Sequence, residues 1–235
     1  MSEQGRRSIL PAGAGHAPPA PRLSLTEQVY RRLKDDILEA RCTPGQLLLE
    51  PELAARYGVS KTPVREALRL LVQEDWVTVM PRKGYLVRPV HLEDIREVFE
   101  IRHLLEPAMA ATAATRRGPS DLDRLTALYA EQERSGPDPA EPLRAARAFH
   151  TRLAAVTGNR RAATILGGQL DEVRRLHRLM PEAERRLTSG VELTAHHGLL
   201  SAVRDGDPDK ARRLMSEHLT QMAATMVDAF VGTRR

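Results

Sequence analysis

The chain has 235 residues, which allows one large domain or two small ones. Hydrophobic residues make up 41% of the sequence, enough for a buried core, but aromatic residues make up only 3%, so the core must be mainly aliphatic. The formal net charge of +5 is compatible with nucleic acid binding without demonstrating it. No run of 18 apolar residues is present, so no membrane span is expected, and the single cysteine, Cys42, favours a reducing compartment; we therefore expect a cytoplasmic protein.

The N-terminal part of the chain divides into two segments. Residues 1–22 are rich in Pro, Gly and Ala and lack periodic apolar positions, which predicts a disordered arm. Residues 23–90 show alternating signals for helices, turns and strands. Helices are predicted at 26–40, 51–57 and 62–74, and strands at 76–80 and 85–88 on either side of a turn. This order predicts a winged helix-turn-helix DNA-binding domain.

From residue 91 onwards the sequence shows only helical periodicity. Pro89 marks the boundary, and residues 91–232 form a second predicted domain. Helices are predicted near 92–117, 120–134, 140–158, 160–180, 189–206 and 208–231. We therefore expect a mostly α-helical protein.

Residues 60–68 suit a helix that enters the major groove of DNA, because hydroxyl and basic side chains precede an apolar face. The planar guanidinium of Arg65 can contact guanine O6 and N7 together, whereas Lys61 better suits a phosphate. Arg69 lies one turn beyond Arg65 and either pairs with Glu66 or reaches the DNA backbone. Any one of these basic residues could simply be a solvated surface group, but the combination predicts a recognition helix.

The segment PGQLLLEPELAARYGVSKTPVREALRLLVQEDWVTVMPRKGYLV resembles the DNA-binding domain of the GntR family of bacterial regulators, over about residues 24–90. The resemblance implies DNA contacts from the recognition helix and from Gly84 in the wing, where Lys83 also lies at the predicted tip. The predicted DNA-binding residues are Ser60, Lys61, Thr62, Arg65, Arg69, Lys83 and Gly84. Pro51 departs from the family, which often has a DNA-contacting arginine there, so operator preference is expected to differ.

The C-terminal half resembles the FCD ligand-binding domain of the FadR-like subgroup of this family. The motifs VFEIRHLLEPAMA, FHTRLAAVTGN and HHGLLSAVRDGDPDKARRLMSEHL stand in the expected order within about residues 91–230. The resemblance implies an antiparallel bundle of six or seven helices with a central cavity for a small effector.

Many such domains hold a divalent metal with one Asp and three His. Carried over, the histidines are His150, His196 and His218, and the Asp position is occupied by Ala146. Helical periodicity places each histidine on an apolar face. The three rings either bind a divalent metal such as zinc, nickel, cobalt or manganese, or hydrogen-bond to water or the effector in the interior. If they bind a metal, the missing carboxylate is expected to lower the affinity most for harder ions such as manganese.

Arg102 corresponds to a cavity arginine of the family. It either clamps a carboxylate effector through two parallel hydrogen bonds or forms a surface ion pair with Glu106. The predicted effector-binding residues are Arg102, His150, His196 and His218.

These features together predict a homodimeric repressor that binds an inverted repeat in double-stranded DNA and is released by a small carboxylate. The alternative is an architectural or constitutive DNA-binding protein with a degenerate sensor domain. An enzyme is disfavoured, because the sequence shows no nucleophile motif and no carboxylate next to the histidines.

Overall fold

A computed structural model of the protein describes residues 23–134, 140–187 and 190–232. The predicted arm at residues 1–22 lies outside the described residues. The predicted fold class is confirmed: a small antiparallel sheet and three helices come first, and a wholly helical part follows.

The N-terminal part is a winged helix-turn-helix. Its elements are α1 (Leu25–Leu38), β1 (Leu47–Leu48), α2 (Glu50–Tyr57), α3 (Lys61–Gln73), β2 (Val77–Met80) and β3 (Gly84–Val87). Ser24 caps α1, because its hydroxyl oxygen accepts a hydrogen bond from the Glu27 N–H at 3.1 Å. Gly58 ends α2 in the left-handed conformation, with φ of 65°, which allows the sharp turn into α3.

The three strands have the order β1-β3-β2, and both pairs are antiparallel. The two-residue strand β1 was not predicted, because it is too short to show periodicity. Gly84 is the first residue of β3 and has φ of +123°. A Cβ atom at this position would lie 2.6 Å from the Leu48 carbonyl oxygen, so β1 can pair with β3 only if residue 84 is glycine.

Apolar side chains of α1 and α3 form the core of this part. Leu33 and Ile37 on α1 and Val64, Leu68 and Leu71 on α3 are fully buried, and Cys42 is buried in the same cluster. Because this core fixes the inner face of α3, its opposite face is turned to solvent.

The C-terminal part consists, within the described residues, of seven helices. They are α4 (Leu92–Arg116), α5 (Pro119–Glu133), α6 (Ala140–Val156), α7 (Arg160–Leu179), α8 (Pro181–Leu187), α9 (Val191–Asp205) and α10 (Pro208–Gly232). The sequence predicted six of them. The seven-residue α8 was missed, because it directly follows α7 and is too short to show a period of its own.

Helix α4 occupies the centre of this bundle and contacts α6, α7, α9 and α10. Its long stretch of buried residues therefore faces neighbours on several sides. The division of the chain at residues 90 and 91 remains a prediction. None of the described helices is both long and apolar enough to span a membrane.

Candidate DNA-binding and ligand-binding sites

The predicted recognition helix presents its polar residues to solvent. Ser60, Lys61, Thr62, Arg65 and Arg69 are all exposed, whereas Pro63 and Val64 face the core. Ser60 occupies the N-cap position of α3, yet its side chain makes no capping hydrogen bond. Its hydroxyl and the N-terminal amide groups of α3 are therefore positioned to contact a phosphate.

Both predicted arginines of α3 form ion pairs with acidic neighbours. Arg65 makes a forked contact with the Glu50 carboxylate of α2, through Nε at 3.0 Å and Nη2 at 2.8 Å. Arg69 pairs with Glu66 at 2.7 Å, which is one of the two predicted arrangements. Because the Arg65 pair is exposed, DNA can compete for this guanidinium at small energetic cost.

The tip of the wing is formed by residues 81–83, and Lys83 is exposed there. Gly84 was predicted to belong to this turn but is paired with Met80 in the sheet. The close approach to Leu48 supplies a packing reason for glycine at this position. The DNA contacts of Lys83 and Gly84 remain predictions.

Three histidines from three helices meet inside the helical bundle. His150 of α6, His196 of α9 and His218 of α10 are all buried. One ring nitrogen of each lies within 4.8 Å of the other two, and the ring centroids are 5.0–5.3 Å apart. The neighbouring His197 is exposed and contacts Tyr129.

Acceptors on other helices fix the orientation of two rings. His150 Nδ1 is hydrogen-bonded to Glu106 Oε2, and His196 Nδ1 donates to Gln132 Oε1 at 2.7 Å. Burial, with nearby His150 and Arg102, lowers the pKa of His196 well below its usual value, so this ring is neutral. A neutral ring that donates through Nδ1 carries a lone pair on Nε2.

The two Nε2 atoms of His150 and His196 are 3.1 Å apart. Two nitrogen lone pairs at this distance repel each other unless a proton or a cation is shared between them. His218 Nε2 is also buried and has no hydrogen-bond partner, so a single shared proton leaves one nitrogen unsatisfied. Nitrogens bound to one ion at about 2.1 Å lie roughly 3.0–3.4 Å apart, so these residues fit a divalent metal.

The expectation that no carboxylate lies next to the histidines was wrong. Glu106 on α4 is fully buried against His150, although 44 residues separate them in the chain. Burial raises the pKa of this carboxyl, but Arg102 and His150 outweigh the effect and leave the pKa well below its ordinary value. An ionised Glu106 accepts from His150 Nδ1 and so fixes the orientation of this ring, as carboxylates next to metal-binding histidines do.

Arg102 does pair with Glu106, but the pair is not on the surface. Its Nε donates to Glu106 Oε1 at 2.5 Å, and the two side chains are only 1% and 2% exposed. The predicted surface location is therefore wrong. Arg102 Nη1 is buried and has no partner, so the guanidinium retains donor capacity towards a ligand.

A cavity of about 440 Å³ adjoins the histidine cluster, and Arg102, His150 and Ala146 line it. This volume is typical of small-molecule sites. Sequence reasoning missed two further buried polar residues in the wall, His177 on α7 and Glu192 on α9. Burial, with Arg102 and Arg178, lowers the pKa of His177 to about 3. Burial raises the pKa of Glu192 to about 7, although Arg102 opposes the shift.

The cavity wall also includes Asp35 of α1 in the winged helix and Glu39, the residue directly after α1. The Glu39 carboxylate accepts from Arg174 at 2.6 Å and from Arg178 at 2.8 Å, and both arginines belong to α7. Arg174 also pairs with Asp35 at 3.1 Å. A ligand in this cavity therefore meets side chains that hold the DNA-binding part against the helical part.

An exposed helix of a winged helix-turn-helix, followed in the chain by a helical bundle with a polar cavity, defines the class of helix-turn-helix transcriptional regulators. Residues 25–87 match the family of bacterial regulatory proteins called the gntR family, and residues 97–221 match the FCD domain. The chain belongs to the GntR family of transcriptional regulators and carries an FCD domain.

Named relatives and similar solved structures agree with this assignment to the GntR family. An uncharacterised HTH-type transcriptional regulator of Streptomyces ambofaciens is 31% identical over 81% of this chain and 80% of its own length. The HTH-type transcriptional repressor GlaR of Escherichia coli is 28% identical over 86% of this chain and 96% of its own. The structure of E. coli McbR/YncC has a TM-score of 0.76 and 26% identity, covering 89% of this chain and all of that one.

Proposed function

We propose that this protein is a homodimeric repressor whose affinity for operator DNA is lowered by a small carboxylate effector bound in the FCD cavity. The histidine cluster carries the proposal, because two ring nitrogens facing each other at 3.1 Å require a shared cation or proton. Relatives of comparable length include proteins named as repressors. The matched relatives are regulators rather than enzymes, so the site is proposed to sense a ligand.

In this proposal, His150, His196 and His218 hold a divalent ion such as zinc or nickel, and Ala146 contributes no ligand. When bound, the ion supplies a Lewis-acidic position for an effector oxygen. Arg102 donates from Nη1 to the effector carboxylate. Glu106 and Gln132 orient His150 and His196 so that both Nε2 lone pairs face the site.

On the DNA side, α3 is proposed to enter the major groove, with Arg65 and Arg69 reaching bases or phosphates after exchanging their ion-pair partners. Ser60, Lys61 and Thr62 supply contacts at the start of α3, and the wing supplies Lys83 and Gly84. In a homodimer the two recognition helices are related by two-fold symmetry, so the operator is an inverted repeat.

Metal analysis of the chelator-treated and reloaded protein tests the site. We expect about one zinc or nickel ion per chain in the wild type and a loss of binding in His196→Ala. His197→Ala is the matched control, because His197 is the adjacent but exposed histidine. Gln132→Leu should weaken metal binding about 10- to 100-fold, because the His196 ring loses the acceptor that orients it.

Operator release tests the function and separates it from the constitutive alternative. A DNA duplex selected by repeated rounds of binding is titrated with protein in the presence and absence of carboxylates that stabilise it against heat. A repressor controlled by its effector loses operator affinity when the carboxylate binds. If the affinity is the same with every stabilising carboxylate, the protein is a constitutive DNA-binding protein with a degenerate sensor.

A further inference from the structure

Glu192 stands out among the acidic residues that line the cavity. Its side chain is only 4% exposed, and its Oε2 atom has no hydrogen-bond partner. A carboxylate in the first turn of α9 interacts favourably with the helix dipole, but an exposed side chain would serve that purpose equally well. A buried carboxyl oxygen without a partner at a cavity wall therefore needs another reason, since buried polar groups are normally hydrogen-bonded.

The same cavity contains two other buried polar groups with unsatisfied atoms. Arg102 is 1% exposed and its Nη1 has no partner, and His177 is 3% exposed and its Nε2 has none. The Nε atom of Arg102 donates to Glu106, so its unpartnered Nη1 atom is available to a ligand. The cavity therefore offers a donor atom, Arg102 Nη1, and an acceptor atom, Glu192 Oε2, and neither has a hydrogen-bond partner within the described part of the chain.

We propose that the effector is an amino carboxylate, whose carboxylate binds Arg102 and whose ammonium group binds Glu192. The inference rests on the proposed effector function of this cavity. A ligand with both charges satisfies both buried groups at once, whereas a simple carboxylate leaves Glu192 unpaired. The neutral ring of His177 supplies an additional hydrogen bond. Ala146, which also lines the cavity, leaves room for the ligand that a longer side chain would fill.

The position of Glu192 suggests one competing role. It lies four residues before His196, hence one turn earlier on the same face of α9, and so could replace the metal-binding carboxylate that position 146 lacks. The ring nitrogens of the three histidines group within 4.8 Å, and Glu192 is not a member of that group. The geometry therefore favours a ligand partner, and the experiment must separate the two roles.

The test compares carboxylates that differ in a single substituent. Pentanoate, 2-hydroxypentanoate, 2-aminopentanoate and 5-aminopentanoate are titrated into the metal-loaded wild-type protein by calorimetry, together with 3-phenylpropanoate and its 2-hydroxy and 2-amino derivatives. In at least one set, we expect an amino compound to bind about tenfold more tightly than the unsubstituted and hydroxy acids. The reason is that its ammonium group forms a charge-assisted hydrogen bond with Glu192.

Three variants test which side chains bind the two charged groups of the ligand. Glu192→Gln keeps the size of the side chain and should remove the preference for the amino compound while leaving the affinity for the unsubstituted acid within about twofold. Glu97→Gln, at an exposed position of α4, should behave as the wild type. Arg102→Met should weaken all members of a set together, because each contains the carboxylate.

The outcomes distinguish this inference from the function on which it rests. If carboxylates bind and Arg102→Met weakens them, but amino and hydroxy compounds bind no better than the unsubstituted acid, the effector function stands and the amino carboxylate is ruled out. A preference that persists in Glu192→Gln, or a loss of bound metal in that variant, overturns the role of Glu192. If no member of either set binds, both the carboxylate effector and the amino carboxylate are wrong.

Discussion

At His150 and His196, partners distant in the sequence decide the chemistry of the rings. The Nδ1 atoms are held by Glu106 and Gln132, which lie 44 and 64 residues away along the chain. Helical periodicity and the family motif were sufficient to predict the three buried histidines. Neither signal could identify the acceptors, because they lie on α4 and α5 and meet the rings only when the bundle is packed.

Glu192 leads to a pH-dependent prediction. Its pKa is raised to about 7 from an ordinary value of 4.5, mainly by burial, so the folded protein holds this proton more tightly than the unfolded chain. The associated stability is present below pH 4.5 and is lost as the pH rises through 7. The shift in pKa limits the lost free energy of unfolding to about 3 kcal/mol.

We therefore expect the stability of Glu192→Gln, relative to that of the wild type, to increase as the pH rises from 5 to 7. Above pH 8 this difference should increase no further. Urea unfolding of the chelated proteins at each pH measures the difference, and shifts from other residues such as His177 cancel in the comparison. Glu97→Gln should follow the wild type throughout. A difference between Glu192→Gln and the wild type that is constant with pH would contradict the raised pKa.

At the scale of single elements, α3 agrees closely with the sequence. Its predicted span of 62–74 differs from the observed Lys61–Gln73 by one residue at each end, because its apolar positions repeat strongly at helical spacing. The ion pair between Arg65 and Glu50 of α2 was not predicted. It arises because the turn at Gly58 brings the start of α2 beside α3, and the sequence does not specify the angle between the two helices.

This pair makes DNA binding by α3 testable. Arg65→Ala should cost about 1–3 kcal/mol of operator binding, because a forked contact to guanine is lost, whereas binding to scrambled DNA should change less. Arg31→Ala, which removes an exposed arginine of α1 that is paired with Glu27, is the control. Fluorescence anisotropy with labelled duplexes measures both affinities. Equal losses on operator and scrambled DNA would rule out base reading by Arg65.

A double-mutant cycle extends the test to Glu50. Glu50→Gln removes a competitor for the Arg65 guanidinium and a negative charge near the DNA, so operator affinity should rise. The part of this gain that depends on Arg65 should disappear in the Arg65→Ala background. Strictly additive effects of the two substitutions would show that Glu50 does not hold Arg65 away from DNA.

At the scale of the whole molecule, ion pairs connect α1 and the residue after it with α7 of the helical part. Glu39 binds Arg174 and Arg178, and Lys34 pairs with Asp171 at 3.2 Å. Glu39 also lines the cavity of about 440 Å³. A carboxylate entering the cavity can compete with Glu39 for the same two guanidinium groups, which would alter the position of α1 and hence of the recognition helix.

We therefore expect Glu39→Gln to weaken the coupling between effector and DNA. The measured quantity is the ratio of operator affinities without and with the tightest-binding carboxylate, a ratio that is typically 5- to 150-fold in allosteric proteins. The ratio should fall towards one in Glu39→Gln and remain unchanged in Glu27→Gln, whose carboxylate pairs only within α1. An unchanged ratio in Glu39→Gln would exclude this contact as the connection.

The sequence by itself determined the local features of this protein. The winged helix-turn-helix, the helical C-terminal part and the buried histidines could all be predicted, because apolar periodicity, turn residues and family motifs act over short stretches of chain. The tertiary structure alone decided which groups share an interior. The burial of the Arg102–Glu106 pair and the contact of α1 with the cavity depend on how distant helices pack. So do the Glu192 and His177 side-chain atoms that have no hydrogen-bond partner among the described residues. Burial then sets the charge of these groups, since desolvation acts on a side chain only after its neighbours have excluded water.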